Sequence, residues 1–428
     1  MTKKFTEFRF GWPVVASAAL GIGLGLSPLP FYSLGVFAPS LTAEFGWRQD
    51  EIMSAFLILT IGVWILSPLV GLITDRYGVR RVVLVSVVLF ALSMMAVALN
   101  TGSYVVYMAI WVLVAAAGVG TLPITWTRAV NSWFFDRRGL ALGISMVGTG
   151  MFGFFVVNYS AYMIEQVGWR WAYVALGLLP LVIAFPVAWF ALFESTDERV
   201  SERANALRAT VSTHAENAAT SGLTLGMALK DWRLWLLAYA FIPISFAVGG
   251  PIPNLVVMLG AKGFDTADAA LLASLLGMPG VILGRLIGGY LIDHLWAPGV
   301  AAVILSLPAL AALGLAQADL SYVIAALSIM LLGFAAGVEY DLMAYLVSRY
   351  FGMANYGAIY GLLYGFFAIG AGVGPVVFAS SFEATGSYDS ILRISAILFV
   401  AGALPLLLLG RYRHFDGTKI VDRVAAEG

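Results

Sequence analysis

A chain of 428 residues that is 61% hydrophobic and only 11% charged, with a mean hydropathy of +0.91, has too little polar surface to cover a water-exposed globule, where about 25% charged residues is usual. Its 24 basic and 24 acidic residues cancel, which removes any nucleic-acid or polybasic-surface reading based on net charge. With no Cys there is no disulfide, iron–sulfur cluster, Cys-bound zinc or cysteine nucleophile.

The first ten residues run into an apolar stretch far longer than a signal-peptide core and carry no A-x-A site, so an uncleaved N-terminus is expected. Apolar runs able to cross a ~30 Å hydrocarbon core as helices fall at about 12–40, 51–74, 81–99, 104–134, 139–163, 169–193, 232–259, 267–291, 298–317, 321–350, 356–381 and 393–410. These are spans 1 to 12 below. The one long polar interval, 194–230, separates six spans from six and reads as a linker between an N-terminal half, 1–193, and a C-terminal half, 231–428. If the N-terminus lies inside, the inner segments carry 18 basic residues, Lys3, Lys4, Arg203, Arg208 and Arg423 among them, against four outside: Arg48, Arg170, Lys262 and Arg393. By the positive-inside rule both termini and the linker are cytoplasmic, in a multi-pass protein of the cell (inner) membrane.

The halves repeat. Ser27-Pro28-Leu29-Pro30 in span 1 corresponds to Gly250-Pro251-Ile252-Pro253 in span 7, and Gly71 to Asp75-Arg76 after span 2 corresponds to Gly289 to Asp293-His294 after span 8. Gly139 to Gly143 at the start of span 5 corresponds to Gly357 to Gly361 at the start of span 11. Six crossings per copy bring both copies in from the same side, so they are parallel repeats about an axis along the membrane normal. The fold class is all-α integral membrane, with 12 transmembrane helices in two parallel six-helix repeats.

Gly71-x-x-x-Asp75-Arg76-x-Gly78-x-Arg80-Arg81 resembles the loop 2–3 signature of the major facilitator superfamily. Tyr32 to Phe37 followed by Glu44-Phe45-Gly46-Trp47, Trp133-Phe134 through Arg138-Gly139 to Gly143, and Arg349-Tyr350-Phe351-Gly352 leading to Tyr360-Gly361 resemble its monocarboxylate porter and oxalate:formate antiporter branch. The resemblance covers essentially the whole chain. It implies gating by Asp75, Arg76, Arg80 and Arg81, with Asp75 accepting amide hydrogen bonds from the start of span 11 in the outward-facing state. The plainer alternative is that these basic residues only hold the loop inside.

Four charges lie within spans: Arg128, Arg285, Glu339 and Asp341. Such residues cost ~2.5–3.5 kcal/mol at mid-bilayer and normally face the bundle interior or a wet cavity. Arg285 precedes Asp293 by eight residues, about 12 Å along a helix, and the resemblance implies that it binds a substrate carboxylate. The branch's usual acid one turn earlier is Val281 here. Arg128 sits at a similar depth in span 4, as a second anion-binding arginine or as a residue snorkelling to the cytoplasm. Glu339 and Asp341 are ~200° apart around span 10 and are the candidate proton-coupling acids; Asp341 is expected as the structural partner of a buried Arg and Glu339 as the coupling acid. The matched prolines of spans 1 and 7 point to a site at the repeat interface, with Tyr32 and Asn254 beside them as further substrate-binding residues.

Gly148 to Gly153 matches G-x-G-x-x-G but lies within an apolar span with no preceding strand, so close helix packing is the better reading. No phosphate-binding G-x-x-x-x-G-K-[ST] occurs, and His214, His294 and His414 are scattered, so no ATP, cofactor or metal is expected and no enzyme chemistry. The function expected is secondary transport, by alternating access, of a small organic anion, a monocarboxylate, in symport with protons. The alternatives are oxalate:formate-type exchange, for which span 11 lacks the Lys that the resemblance implies, and a non-transporting membrane receptor. The partners expected are that anion, protons and lipid, with no nucleic acid.

Overall fold

The computed structural model describes residues 6–47, 49–202, 205, 221–416 and 419–421; Lys3, Lys4, Arg48, Arg203, Arg208, His214 and Arg423 lie outside the described residues. Among the latter, ten helical stretches are long and apolar enough to cross a bilayer. One of them, Arg138–Ala191, has 54 residues. As a straight helix it would be ~80 Å long, far beyond a ~30 Å core, and Gly168 breaks it with φ 79°. The segment Thr266–Leu275, Leu276–Val281, Ile282–His294 is also helical throughout. Its middle piece widens to a π-helical turn around Pro279, which has no N–H to continue the ladder.

The breaks within spans 1, 4 and 7 have proline causes. Span 1 consists of Thr6–Gly23 and Pro28–Phe45, span 7 of Trp232–Gly249 and Pro251–Ala261, and span 4 of Tyr104–Gly118 and Pro123–Trp133. In each case Pro opens the second helix, where its missing donor is not needed. The breaks of spans 1 and 4 meet: the Leu26 N–H donates to Thr121 Oγ1 at 2.9 Å, and that hydroxyl donates to Gly118 O at 2.7 Å.

Span 2 packs along span 11 and span 5 along span 8, while spans 1 and 5, and 7 and 11, pack within their halves. A constant offset of 218 residues relates these contacts. A Cβ on Gly357 would lie 2.7 Å from Gly71 O, and one on Gly289 would lie 2.6 Å from Gly139 O, so the two helix pairs touch backbone to backbone where only glycine fits. Gly168 and Gly386, also 218 apart, are both left-handed, at φ 79° and 69°. At that same end of the molecule Glu44 pairs with Arg170 at 2.6 Å, and Lys262 pairs with Asp389 at 2.6 Å. Lys262 lies 218 residues after Glu44 and Asp389 lies 219 after Arg170, so the second pair repeats the first to within one residue with the signs exchanged.

At the opposite end, the linker's last residues join the loop between spans 10 and 11. Gly222 bridges Gly352, with the Leu223 N–H donating to Phe351 O at 2.7 Å and the Met353 N–H to Ser221 O at 2.9 Å. A two-stranded hairpin, His414–Asp416 with Lys419–Val421, closes the described chain.

Candidate functional site

Two carboxylates fasten the halves together at the linker end. Asp75, at the end of span 2, accepts the Gly357 and Ala358 N–H groups at 3.0 and 2.9 Å. Asp293, at the end of span 8, accepts those of Gly139 and Leu140 at 2.6 and 2.9 Å. All four amides lie in the first turn of a helix, where donors lack intrahelical acceptors and the dipole favours negative charge. The offset is again 218, so each half supplies the acid for the helix start of the other. Arg128 completes the span 2 latch: its guanidinium binds Asp75 and Glu194, the latter at 2.9 Å, and Glu194 also accepts the Val79 N–H at 3.2 Å. Arg80 lies against Trp189 and Phe193 and donates to Trp189 O at 2.7 Å, while Arg76 lies over Tyr77. Arg76 and Arg81 are exposed.

Deeper between the halves, Arg285 is 2% exposed. Its Nη1 faces Asp341 Oδ1 at 3.3 Å and its Nη2 donates to Thr149 Oγ1 at 2.9 Å. Span 8, span 10 of its own half and span 5 of the other half thus meet at one guanidinium. Among the described residues, Arg285 Nε, Asp341 Oδ2, Glu339 Oε2 and the Tyr360 hydroxyl are buried without a hydrogen-bond partner. Leaving one such group unmet costs ~1–3 kcal/mol, more when it is charged, and the Arg285 charge acts on Glu339, Asp341 and Tyr360 alike, so the four unmet groups form one buried polar cluster. Aromatic side chains of spans 10 and 11 pack beside it. Tyr340 lies 5.6 Å from Tyr364 and 4.6 Å from Phe367, and Tyr360 meets Tyr364 edge to face at 6.2 Å. Tyr32 of span 1 packs over Gly153, within electrostatic reach of Arg285, yet remains 39% exposed, so it borders open space.

The chain matches the Major Facilitator Superfamily over residues 20–375. It belongs to that family. Among curated relatives, it is 24% identical over 396 residues to the probable sulfoacetate transporter SauU of Cupriavidus necator, covering 88% of this chain and 89% of that one. It is 24% identical over 412 residues to monocarboxylate transporter 13 of Rattus norvegicus, covering 94% and 90%. The human organic anion transporter MFSD10 superposes with a TM-score of 0.69 at 18% identity, over 94% of this chain and 99% of that one. At that identity the likeness speaks for the fold alone. Superfamily members are transporters rather than enzymes, and this chain is a multi-pass membrane protein that handles a small molecule.

Within this superfamily fold the sequence-derived candidates separate into two groups. Arg285, Glu339, Asp341 and Tyr32 gather between the halves. Arg128, expected as a second anion-binding arginine, does not join them: its guanidinium is held by Asp75 and Glu194 at the linker end. Asn254 spends its amide N–H groups on Gly250 O and Pro375 O, at 2.9 and 3.2 Å, pinning the span 7 break to span 11. The residues that sequence reasoning missed are Thr149, Glu194, Asp293 as a latch, and the tyrosines of span 11. Tyr356, Tyr360 and Tyr364 recur every four residues, one face of a helix, and that spacing was the available signal.

Proposed function

We propose that this transporter moves a small organic anion, a monocarboxylate, together with a proton by secondary active transport across the inner membrane. In this reading twelve crossings form two rocking halves, 1–193 and 231–428, joined by a cytoplasmic linker over 194–230, with both termini cytoplasmic. The observation that carries it is the buried Arg285, shared between Asp341 and Thr149 with its Nε open. A planar guanidinium holding a carboxylate already is shaped for another. Relatives whose names refer to a sulfoacetate and to monocarboxylates support an anionic cargo.

Coupling follows from competition. Substrate and Asp341 seek the same guanidinium, and two carboxylates around one cation in a dry site leave an uncompensated buried charge. Protonation of Asp341 relieves this, so substrate binding and proton uptake favour each other. The geometry therefore supports Asp341 as the coupling acid in place of Glu339: the Arg it pairs with is the substrate arginine itself. Exchange of a dianion needs a second cation at the site, and the commitment of Arg128 to Asp75 and Glu194 favours symport over that alternative.

Asp75 and Asp293, with Arg76, Arg80, Arg81 and Arg128 around the first of them, serve as the cytoplasmic gate in this reading. Opening it to the cytoplasm breaks both carboxylate–helix contacts, each worth ~0.3–2 kcal/mol. Asp75→Asn and Asp293→Asn are each expected to change turnover several-fold, downward where the outward-facing state becomes too scarce, at near-normal expression. Unchanged turnover in the double variant would remove the latches from the cycle.

Counterflow in liposomes with labelled carboxylates, with and without a pH gradient, tests the whole reading. Accumulation driven by an inward proton gradient is expected; uptake that needs internal anion and ignores the gradient supports exchange instead.

A further inference from the structure

The walls around Arg285 are chemically richer than a two- or three-carbon acid requires. Besides the guanidinium they offer two further buried, unpartnered oxygen groups, Glu339 Oε2 and the Tyr360 hydroxyl. Glu339 is 3% exposed and Tyr360 is fully buried. Two groups of rings adjoin this cluster: Tyr340, Tyr364 and Phe367 from spans 10 and 11, and, from span 1, Tyr32 with Phe31 edge to face at 5.3 Å, Tyr32 packing over Gly153 one helical turn after the Thr149 that holds Arg285. Tyr340 stands between Glu339 and Asp341 on span 10, Asp341 pairs with Arg285, and Tyr340 contacts Tyr364, which contacts Tyr360. The rings, the cation and the spare acceptor therefore belong to one space.

Resting on the carboxylate reading above, we propose that the cargo is an aromatic monocarboxylate bearing a ring hydroxyl, its carboxylate on Arg285, its ring between the span 1 and span 11 aromatics, and its hydroxyl donating to Glu339. Flat rings lie favourably against aromatic faces and edges at such spacings. A buried carboxylate oxygen with no donor penalises every ligand that brings none, whereas a phenolic hydroxyl satisfies it. Sites built to hydrogen-bond a hydroxyl reject the analogue that lacks it far more strongly than apolar pockets reject a missing methylene. Glu339 in this assignment reads the substrate, which separates its role from that of Asp341.

The test uses the purified full-length chain in liposomes, measuring inhibition of counterflow by 2-, 3- and 4-hydroxybenzoate, benzoate and lactate. At least one hydroxybenzoate is expected to half-inhibit at a concentration ten or more times lower than benzoate, and benzoate lower than lactate. Glu339→Met removes the acceptor without stranding a polar group and is expected to bring the hydroxybenzoate-to-benzoate ratio within twofold. Tyr364→Leu is expected to shrink the benzoate-to-lactate ratio by about tenfold. Because ratios are read within one variant, a lower yield of folded protein leaves the test intact. Lactate inhibiting as well as the hydroxybenzoates overturns this proposal and leaves carboxylate transport standing. Inhibition by none of the five overturns both.

Discussion

Arg285→Ala is expected to abolish saturable substrate binding and gradient-driven transport. The substitution removes a charge-assisted, potentially bidentate carboxylate contact worth ~1.5–3 kcal/mol, roughly a 10- to 150-fold loss in affinity. It also strands Asp341, which is fully buried, and breaking a buried pair from one side costs ~3–5 kcal/mol. Loss of folded protein would then mimic loss of binding, so the informative companion is Arg285→Ala with Asp341→Asn. That double variant is expected to recover monodisperse protein and still fail to bind. Arg285→Lys should rescue poorly, because an ammonium cannot serve Asp341, Thr149 and a substrate carboxylate from one plane. Ligand-induced thermal shift and direct binding read the outcome; affinity in Arg285→Ala within twofold of wild type would take this residue out of the site.

Asp341→Asn is expected to separate accumulation from exchange. Exchange of labelled for unlabelled substrate needs only the loaded carrier to reorient, whereas net uptake also needs the empty carrier to return after releasing its proton. An amide keeps the size and hydrogen-bonding capacity of the acid and cannot change charge, so the variant should exchange substrate at near wild-type rates and lose uphill uptake under a pH gradient. Glu339→Gln should still accumulate. If Asp341→Asn concentrates substrate with unaltered pH dependence, the proton travels by another group.

Much of this arrangement is legible in the sequence. The spans follow from hydropathy because lipid forces every backbone amide into an internal hydrogen bond, and the breaks of spans 1 and 7 follow from Pro28 and Pro251 because proline cannot continue the ladder. Arg285, Glu339 and Asp341 stand out because charges are expensive there. What escaped were relations between distant residues of ordinary type. Arg128 has its depth written in the sequence, but its partner Glu194 lies 66 residues on, so nothing local distinguishes a latch residue from a substrate residue. The tyrosines of span 11 were absorbed into an apolar run, since hydropathy weighs their rings and ignores their hydroxyls. The second ion pair at the end opposite the linker, Lys262 with Asp389, was invisible to a search for repeated identities because its signs are reversed relative to Glu44 and Arg170.

The single ion pair between Arg285 and Asp341 also has an electrical meaning. On the symport reading, with the charge state of Glu339 unchanged through the cycle, Arg285 and Asp341 sum to zero when the site is empty, and Arg285, a protonated Asp341 and the bound carboxylate sum to zero when it is loaded. Membrane voltage acts on a moving charge with ~2.3 kcal/mol per elementary charge per 100 mV, and here it acts equally on the outward and the return stroke. Its work over a full cycle cancels. Uptake into vesicles should therefore be indifferent to a potassium diffusion potential and should build about a tenfold gradient of substrate for each unit of pH difference. Such a carrier would keep filling a cell whose voltage had collapsed, for as long as the outside stayed acidic.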